Sequence, residues 1–299
     1  MRALVTGAAG FIGSHVTRAL ADRGLAIVAT DRPGAALSRL ARVDGRVQME
    51  EADLADPESA AALLRRHRPE LLVHLAWYAH PADYLDSREN LRSLAATSML
   101  LAAAADAGCR RVVGVGTCLE YAASEAPHRE GDAAAPDTLY AACKHAAHLV
   151  GDQLTVGRTS FAWARIFHVH GPGEDPARLI PMVARRLCRG EAVDLSTGDQ
   201  IRDYLHVEDV ADALAAIALS DVRGSANVCS GVPVAISDVL RTLGELLGKP
   251  DLLRFGRAPY RAGERMHIVG DPGVLRTLGW APRHTGLAAS LAYLKEEPA

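Results

Sequence analysis

The sequence is poor in the features that would set it apart from ordinary soluble enzymes. No apolar stretch reaches the roughly 20 residues that span a bilayer, and Met1-Arg2 passes directly into Ala3-Leu4-Val5 and glycines, too brief a run for a secretory leader. The five cysteines, Cys109, Cys118, Cys143, Cys188 and Cys229, are scattered, odd in number and without a CxxC pair, which argues against a disulfide framework and predicts reduced thiols in the cytoplasm. Neither sign of charge dominates: 33 Lys and Arg face 36 Asp and Glu, a formal net charge of −3, so no global field draws nucleic acid and phosphate recognition must be local. Internal repeats, linkers and low-complexity segments are also missing. What remains is a chain of 299 residues, 49% of them hydrophobic, enough to build one large domain or two closely joined ones.

The apolar runs Ala3-Leu4-Val5, Ala26 to Ala29, Leu71 to Leu75 and Val112 to Val115 alternate with segments of helical spacing such as Phe11 to Arg23. That alternation predicts an α/β fold: a doubly wound, Rossmann-type parallel sheet with crossover helices. Further helices are expected over Pro57 to Arg68, where Pro marks the start, and over Ser87 to Ala107, which is rich in Ala and Leu. One more strand is expected over Ser160 to His168, before Gly171-Pro172-Gly173 breaks the pattern. This places a dinucleotide-binding domain at 1–168, with 202–222 returning to it, and a smaller α/β substrate-binding domain over most of 169–299. Helices are expected there over Val207 to Ser220 and Ile236 to Leu247.

Gly7, Gly10 and Gly13 follow the first strand and open the first helix, where small residues let backbone N–H groups approach a pyrophosphate. Their spacing differs from G-x-G-x-x-G, yet it offers the same tight turn. Asp31, after the second strand, can accept hydrogen bonds from both adenosine ribose hydroxyls and so favours NAD, while the adjacent Arg32 leaves NADP open through a 2′-phosphate. Tyr140 and Lys144 are four residues apart on a helix running to about Leu154, so their side chains share one face. An ammonium nearby stabilises a phenolate and makes Tyr140 a usable proton carrier. Thr117 ends the strand Val112 to Gly116, at the border of the ligand crevice, where its hydroxyl can orient a substrate oxygen. Trp77, Tyr78 and His80 lie beyond the end of another strand and offer either a wall for a sugar or plain loop packing. His168 and His170 have the spacing of two metal ligands, but no third ligand completes a set, and no metal is expected.

The order TGAAGFIG, Asp31, Asp53-Leu54, HLA at His74 to Ala76, GTCLEY and YAACK resembles the extended short-chain dehydrogenases/reductases of the NAD-dependent epimerase/dehydratase type. The resemblance implies that Gly7, Gly10, Phe11, Ile12, Gly13, Asp31, Asp53 and Leu54 hold a dinucleotide, joined by Leu75, Ala76 and Asn90. It also implies that Thr117, Tyr140 and Lys144 are the catalytic trio, with Tyr140 as acid/base and Lys144 on the nicotinamide ribose. The segments Arg165 to Gly173 and Asp199 to Val210 resemble those of the nucleotide-sugar branch, where the residues matching Arg202 and Arg261 meet the substrate diphosphate. His168 stands where many members carry Asn. Ion pairing with Asp203 or Asp209 is the plainer alternative for Arg202.

Dehydratases of this kind carry an Asp-Glu pair directly after the catalytic Thr, where this chain has Cys118 and Leu119, which disfavours elimination of water. Reduction of a nucleotide-linked 4-keto-6-deoxy sugar is therefore the expected reaction, with a nucleotide-sugar epimerase as the alternative. A non-catalytic dinucleotide-sensing protein is a third reading, opposed by the intact trio. By analogy with the family's helical interface, Ser87 to Ala107 and Thr138 to Leu154 predict a homodimer.

Overall fold

Alternating side chains on short strands feed two separate apolar layers, and this is what organises the first half of the chain. The computed structural model describes residues 1–40, 45–261 and 263–295. Its elements are β1 (Arg2–Thr6), α1 (Phe11–Asp22), β2 (Ala26–Asp31), β3 (Val47–Glu51), α2 (Pro57–His67), β4 (Leu71–His74), α3 (Glu89–Asp106), β5 (Arg111–Thr117), α4 (Leu139–Thr155), β6 (Ser160–Ile166) and β7 (His168–His170). They continue with α5 (Leu179–Cys188), β8 (Val193–Asp194), β9 (Ile201–His206), α6 (Val207–Ala218), β10 (Gly224–Val228), β11 (Pro233–Ala235), α7 (Ile236–Leu246), β12 (Leu253–Arg254), β13 (His267–Ile268), α8 (Gly273–Thr277) and α9 (Leu287–Ser290).

Seven parallel strands form the main sheet in the order β10-β6-β5-β4-β1-β2-β3. Ala3 and Val5 of β1 and Ala162 and Ala164 of β6 join Val16 and Leu20 of α1 and Leu214 of α6 on one face. Leu4 of β1 and Phe161 and Trp163 of β6 join Leu64 of α2, Leu100 of α3 and Ala147 of α4 on the other. This doubly wound α/β architecture is the one the alternating pattern predicts. Local chemistry fixes the helix starts: the Asp56 carboxylate accepts the Glu58 N–H before Pro57 opens α2, and the Thr138 hydroxyl accepts the Ala141 N–H of α4.

The strand expected over Ser160 to His168 is two strands in two sheets. β6 ends at Ile166, the Phe167 N–H still reaches the Val228 carbonyl of β10, and His168 to His170 then pair with β9 in a second sheet of β11-β9-β13 and β7. Beyond that switch Gly171 takes a left-handed φ of 148°, and a Cβ there would lie 2.5 Å from Val207. The chain returns to the main sheet through α6, packed on α1, and β10, whereas β9 stays with the second sheet. A third apolar cluster, including Val183 and Leu187 of α5 and Leu240 and Leu243 of α7, gives the second lobe its own core. Among the described residues no helix is long and apolar enough to cross a membrane.

Candidate active site

The turn after β1 is shaped by what its glycines lack. Gly7 has φ +65°, and a Cβ on it would lie 2.8 Å from the Ala76 nitrogen; a Cβ on Gly13 would overlap the Gly7 carbonyl. Gly10 donates its N–H to that same carbonyl (3.0 Å) and starts α1 with no side-chain cap, so the N–H groups of Phe11, Ile12 and Gly13 face outward at the positive end of the helix dipole. Asp31, at the end of β2, accepts the Ala9 N–H through Oδ2 (3.0 Å) and the Arg32 N–H through Oδ1 (2.9 Å), which fixes its carboxylate beside the turn. Arg32 is exposed. Asp53 is exposed too and accepts the Ala55 N–H, while Leu54 packs on the core. Leu75 and Ala76 are hydrogen-bonded to Thr6 directly beneath Gly7. Backbone donors on a glycine cradle with a carboxylate at the next strand end suit a dinucleotide's pyrophosphate and ribose. Arg39 went unnoticed in the sequence; it reaches from beyond β2 to the Gly173 carbonyl (3.0 Å).

Tyr140 and Lys144 approach each other beside the end of β5, the strand that Thr117 closes. Thr117 ends β5, and its hydroxyl accepts the Leu119 N–H at the start of a 3-10 turn, Cys118–Glu120. Tyr140 enters α4 with its N–H on the Leu85 carbonyl (2.9 Å), and its ring stands edge-on to Tyr84 (5.0 Å) and Trp77 (6.5 Å). Lys144 is 4% exposed; its ammonium donates to the Val115 carbonyl (2.7 Å) and lies 4.0 Å from the centre of the Trp77 ring. Burial pushes Lys144 down to about 7, opposed by Glu120. Burial first, then the neighbouring Tyr84, Cys118 and Glu120, push the Tyr140 phenol above its ordinary value. Beneath them His74 is held neutral, its pKa lowered to about 3 by burial and by Lys144, while it bridges the Thr6 and Thr97 hydroxyls.

Several residues expected at the substrate or cofactor also take part in this scaffold. Trp77 donates its indole N–H to Asn90 (2.9 Å) and presents its face to Lys144, so it supports the lysine. Asn90 is buried, and its side-chain amide donates to the Tyr84 and Ser87 carbonyls, which makes it a brace for the 78–87 loop. Tyr78 bonds Asp83 and His80 is exposed, both on that loop. The loop meets the second lobe through Arg178, whose guanidinium lies 4.7 Å from the Tyr84 ring centre and donates to the Ala79 carbonyl.

Arg202, on β9, is 5% exposed and pairs with Glu264 at 2.6 Å. The two aspartates offered as its partners do other work: Asp203 accepts from Ser230, Gly231 and Gly270, and Asp209 from the Arg283 and His284 N–H groups. His168 is half-buried between Arg202 and Arg178, and burial followed by those two cations lowers its pKa to about 3. Arg261 is exposed, whereas Arg265 bonds Asp137 and the Tyr121 carbonyl and joins the second lobe to the segment after Thr117. His168 and His170 gain no third ligand among the described residues. Glu120, His145 and His148 do approach one another, but the Arg165 guanidinium already holds the carboxylate, and a metal cation would have to displace it.

Residues 3–229 match the family described as the NAD dependent epimerase/dehydratase family. The chain is 31% identical to UDP-glucose 4-epimerase of Azospirillum brasilense over 96% of its own length and 88% of that protein's. It is 30% identical to dTDP-4-dehydro-6-deoxy-D-allose reductase of Streptomyces bikiniensis, over 94% and 96% of the two chains. Among solved structures it is similar to DesIV, a dTDP-glucose 4,6-dehydratase from Streptomyces venezuelae with NAD and TYD bound, at 28% identity and a TM-score of 0.88 over 99% of this chain and 97% of that one.

Proposed function

The chain belongs to the NAD-dependent epimerase/dehydratase family, and from that premise we propose that it is an NAD-using ketoreductase of a nucleotide-linked 4-keto-6-deoxy sugar. The observation that carries this reading is the Tyr140–Lys144 pair beside β5, the strand that Thr117 ends, with Cys118 and Leu119 where a dehydratase needs an acid and a base. The bound dinucleotide supplies the hydride. Tyr140 gives its proton to the carbonyl oxygen as hydride arrives, Thr117 holds that oxygen, and Lys144 offsets the charge left on the phenol. The trio, the Gly7 to Gly13 turn and Asp31 lie in the dinucleotide-binding lobe, the chain up to the end of β6 together with α6 and β10. Arg202 and Arg178 form the cationic side of the crevice, with the neutral His168 between them, suited to a diphosphate through charge-assisted hydrogen bonds. Because the Asp31 carboxylate would repel a 2′-phosphate, NAD is favoured over NADP. The free thiols of all five cysteines suit the cytoplasm.

Epimerisation by the same trio is the second reading, favoured by the 31% identity to a UDP-glucose 4-epimerase. Incubation with deuterated reduced cofactor and a panel of keto-sugar nucleotides separates the two. A reductase incorporates one deuterium per cofactor oxidised, and an epimerase isomerises sugar without net cofactor use. Neither outcome, combined with cofactor-dependent capture of a protein partner, would leave a dinucleotide-sensing role and sink both.

A further inference from the structure

Arg265 reaches out of the second lobe with a side chain only 10% exposed, where a guanidinium is costly unless its donors are taken. Its Nε donates to Asp137 Oδ2 (2.9 Å), its Nη1 to the Tyr121 carbonyl (2.9 Å) and its Nη2 to the Leu119 carbonyl (3.4 Å). These acceptors sit on the two stretches that carry the proton chemistry. Leu119 lies in the 3-10 turn beyond Thr117 and gives its N–H to the Thr117 hydroxyl. Asp137 directly precedes Thr138, the cap of α4, at whose first turn Tyr140 stands. The base of the arginine is anchored in the second lobe, since Ile201 of β9 donates its N–H to the Met266 carbonyl (2.7 Å) and Glu264 pairs with Arg202. Backbone bonds already hold the intervening segment: Ala122 donates to Ala133, Ala135 to Glu120, and His128 exchanges bonds with Val269 and Asp271. Its fold therefore does not call for the arginine. What those ties lack, and a planar fork supplies, is one rigid group in contact with both the turn after Thr117 and the entry to α4.

We propose that Arg265 is a positioning residue for the reaction proposed above, a strut from the second lobe that sets the Thr117 hydroxyl against the Tyr140 phenol. The inference rests on that functional reading for its catalytic meaning and on the three hydrogen bonds for its geometry. Both oxygens must meet one substrate carbonyl, and a displacement of about 1 Å that arises far from the chemistry can cost about 10²-fold in rate. Lysine does not replace the arginine, because its donors radiate from a single nitrogen on a flexible stem and lack the span of the fork. Since Glu264 and Arg265 are neighbours, the same short segment holds Arg202, on the cationic side of the crevice, and the two stretches that present Thr117 and Tyr140.

In the full-length protein, Arg265→Ala should lower kcat by about 10- to 10²-fold while NAD affinity, read by fluorescence titration, stays native. Arg265→Lys should remain slow. Guanidinium chloride far below its unfolding range should restore part of the Arg265→Ala rate, where sodium chloride at equal ionic strength does not. An arginine that only stitches the lobes together would instead lower the melting temperature and leave the folded protein with native kcat, which overturns the proposal. Amide hydrogen exchange read by mass spectrometry needs no sugar: in Arg265→Ala, residues 118–122 and 138–142 should exchange faster and β1 should not. Unchanged exchange in both segments is equally fatal. If Arg265→Ala does not fold, Asp137→Asn cuts the ion pair at a side chain 52% exposed and should speed exchange over 138–142 and lower kcat, native values of both overturning the strut. Faster exchange in the variant, with no turnover of any keto-sugar nucleotide by the native protein, refutes the proposed reaction alone. Turnover by the native protein with kcat unmoved in Arg265→Ala refutes the strut alone.

Discussion

At the scale of single residues, the site sets a buried phenol against a buried amine, and burial drives both towards their neutral forms. Tyr140 therefore holds its proton until a carbonyl oxygen takes it, which is the behaviour wanted of a general acid in a reduction. Tyr140→Phe keeps the ring that meets Tyr84 and Trp77 and removes only the hydroxyl, so turnover should fall on the order of 10²- to 10⁴-fold while NAD affinity, read by fluorescence titration, stays nearly unchanged. An unaltered rate would remove Tyr140 from the chemistry. Lys144 carries a stability signature as well. Its pKa falls from an ordinary 10.5 to about 7 on folding, so between those values the unfolded chain binds more protons and folding gains as pH rises. Relative to Lys144→Met, which does not titrate, the native protein should gain up to about 1.4 kcal/mol per pH unit in that window. Urea midpoints of both proteins at pH 7 and pH 9 measure it, and parallel responses would mean that the amine is not desolvated.

At the scale of elements, the start of α1 depends on a contact that any side chain would break. A methyl on Gly13 would overlap the Gly7 carbonyl, so Gly13→Ala must lift the helix off the turn and disperse the N–H groups of Phe11 and Ile12. NAD affinity should drop at least about tenfold, in keeping with overpacking costs of 1–3 kcal/mol, whereas Gly131→Ala, with open space around its Cβ, should bind as the native protein does. Equal affinities in calorimetry would remove the turn from the dinucleotide site. The glycine turn, Asp31 and the Tyr140–Lys144 pair were legible in the sequence because each is a local pattern on one strand end or one helix face. Glu120 also left a local trace, as the last residue of a Thr-x-x-Glu capping box. Arg178 and Arg265 left none, since their partners Ala79 and Asp137 lie 99 and 128 residues away in sequence. The same holds for the break between β6 and β7: the apolar run is continuous, and only pairing with the distant β9 moves His168 to another sheet. For Arg202 the sequence offered Asp203 or Asp209 as ion-pair partners but not Glu264, which comes from a segment without regular structure.

At the scale of the whole molecule, α3 and α4 pack against each other on one face of the sheet and still leave large apolar side chains in water. Leu91 and Met99 on α3 are 50% and 49% exposed and Leu149 on α4 is 54% exposed, with Val156 just past its end at 70%. Burying a side chain of this size contributes about 1.5–3 kcal/mol, so we propose a second copy related by a two-fold axis that would set α3 and α4 against their counterparts and remove from water what a monomer leaves exposed. Such a dimer also bears on the site. The outer face of α4 would be held by the partner while its inner face carries Tyr140 and Lys144, and the loop from Tyr78 to Ser87 is tied to the start of that helix through the Leu85 carbonyl. Light scattering should give twice the 31.7 kDa of one chain. Leu149→Asp, which places a charge in the proposed interface without touching the trio, should yield monomers with a lower melting temperature and a reduced kcat, since α4 then loses its outer support. A Leu149→Asp protein that stays dimeric would move the interface elsewhere, and a monomer with native kcat would uncouple assembly from the chemistry on the inner face of α4.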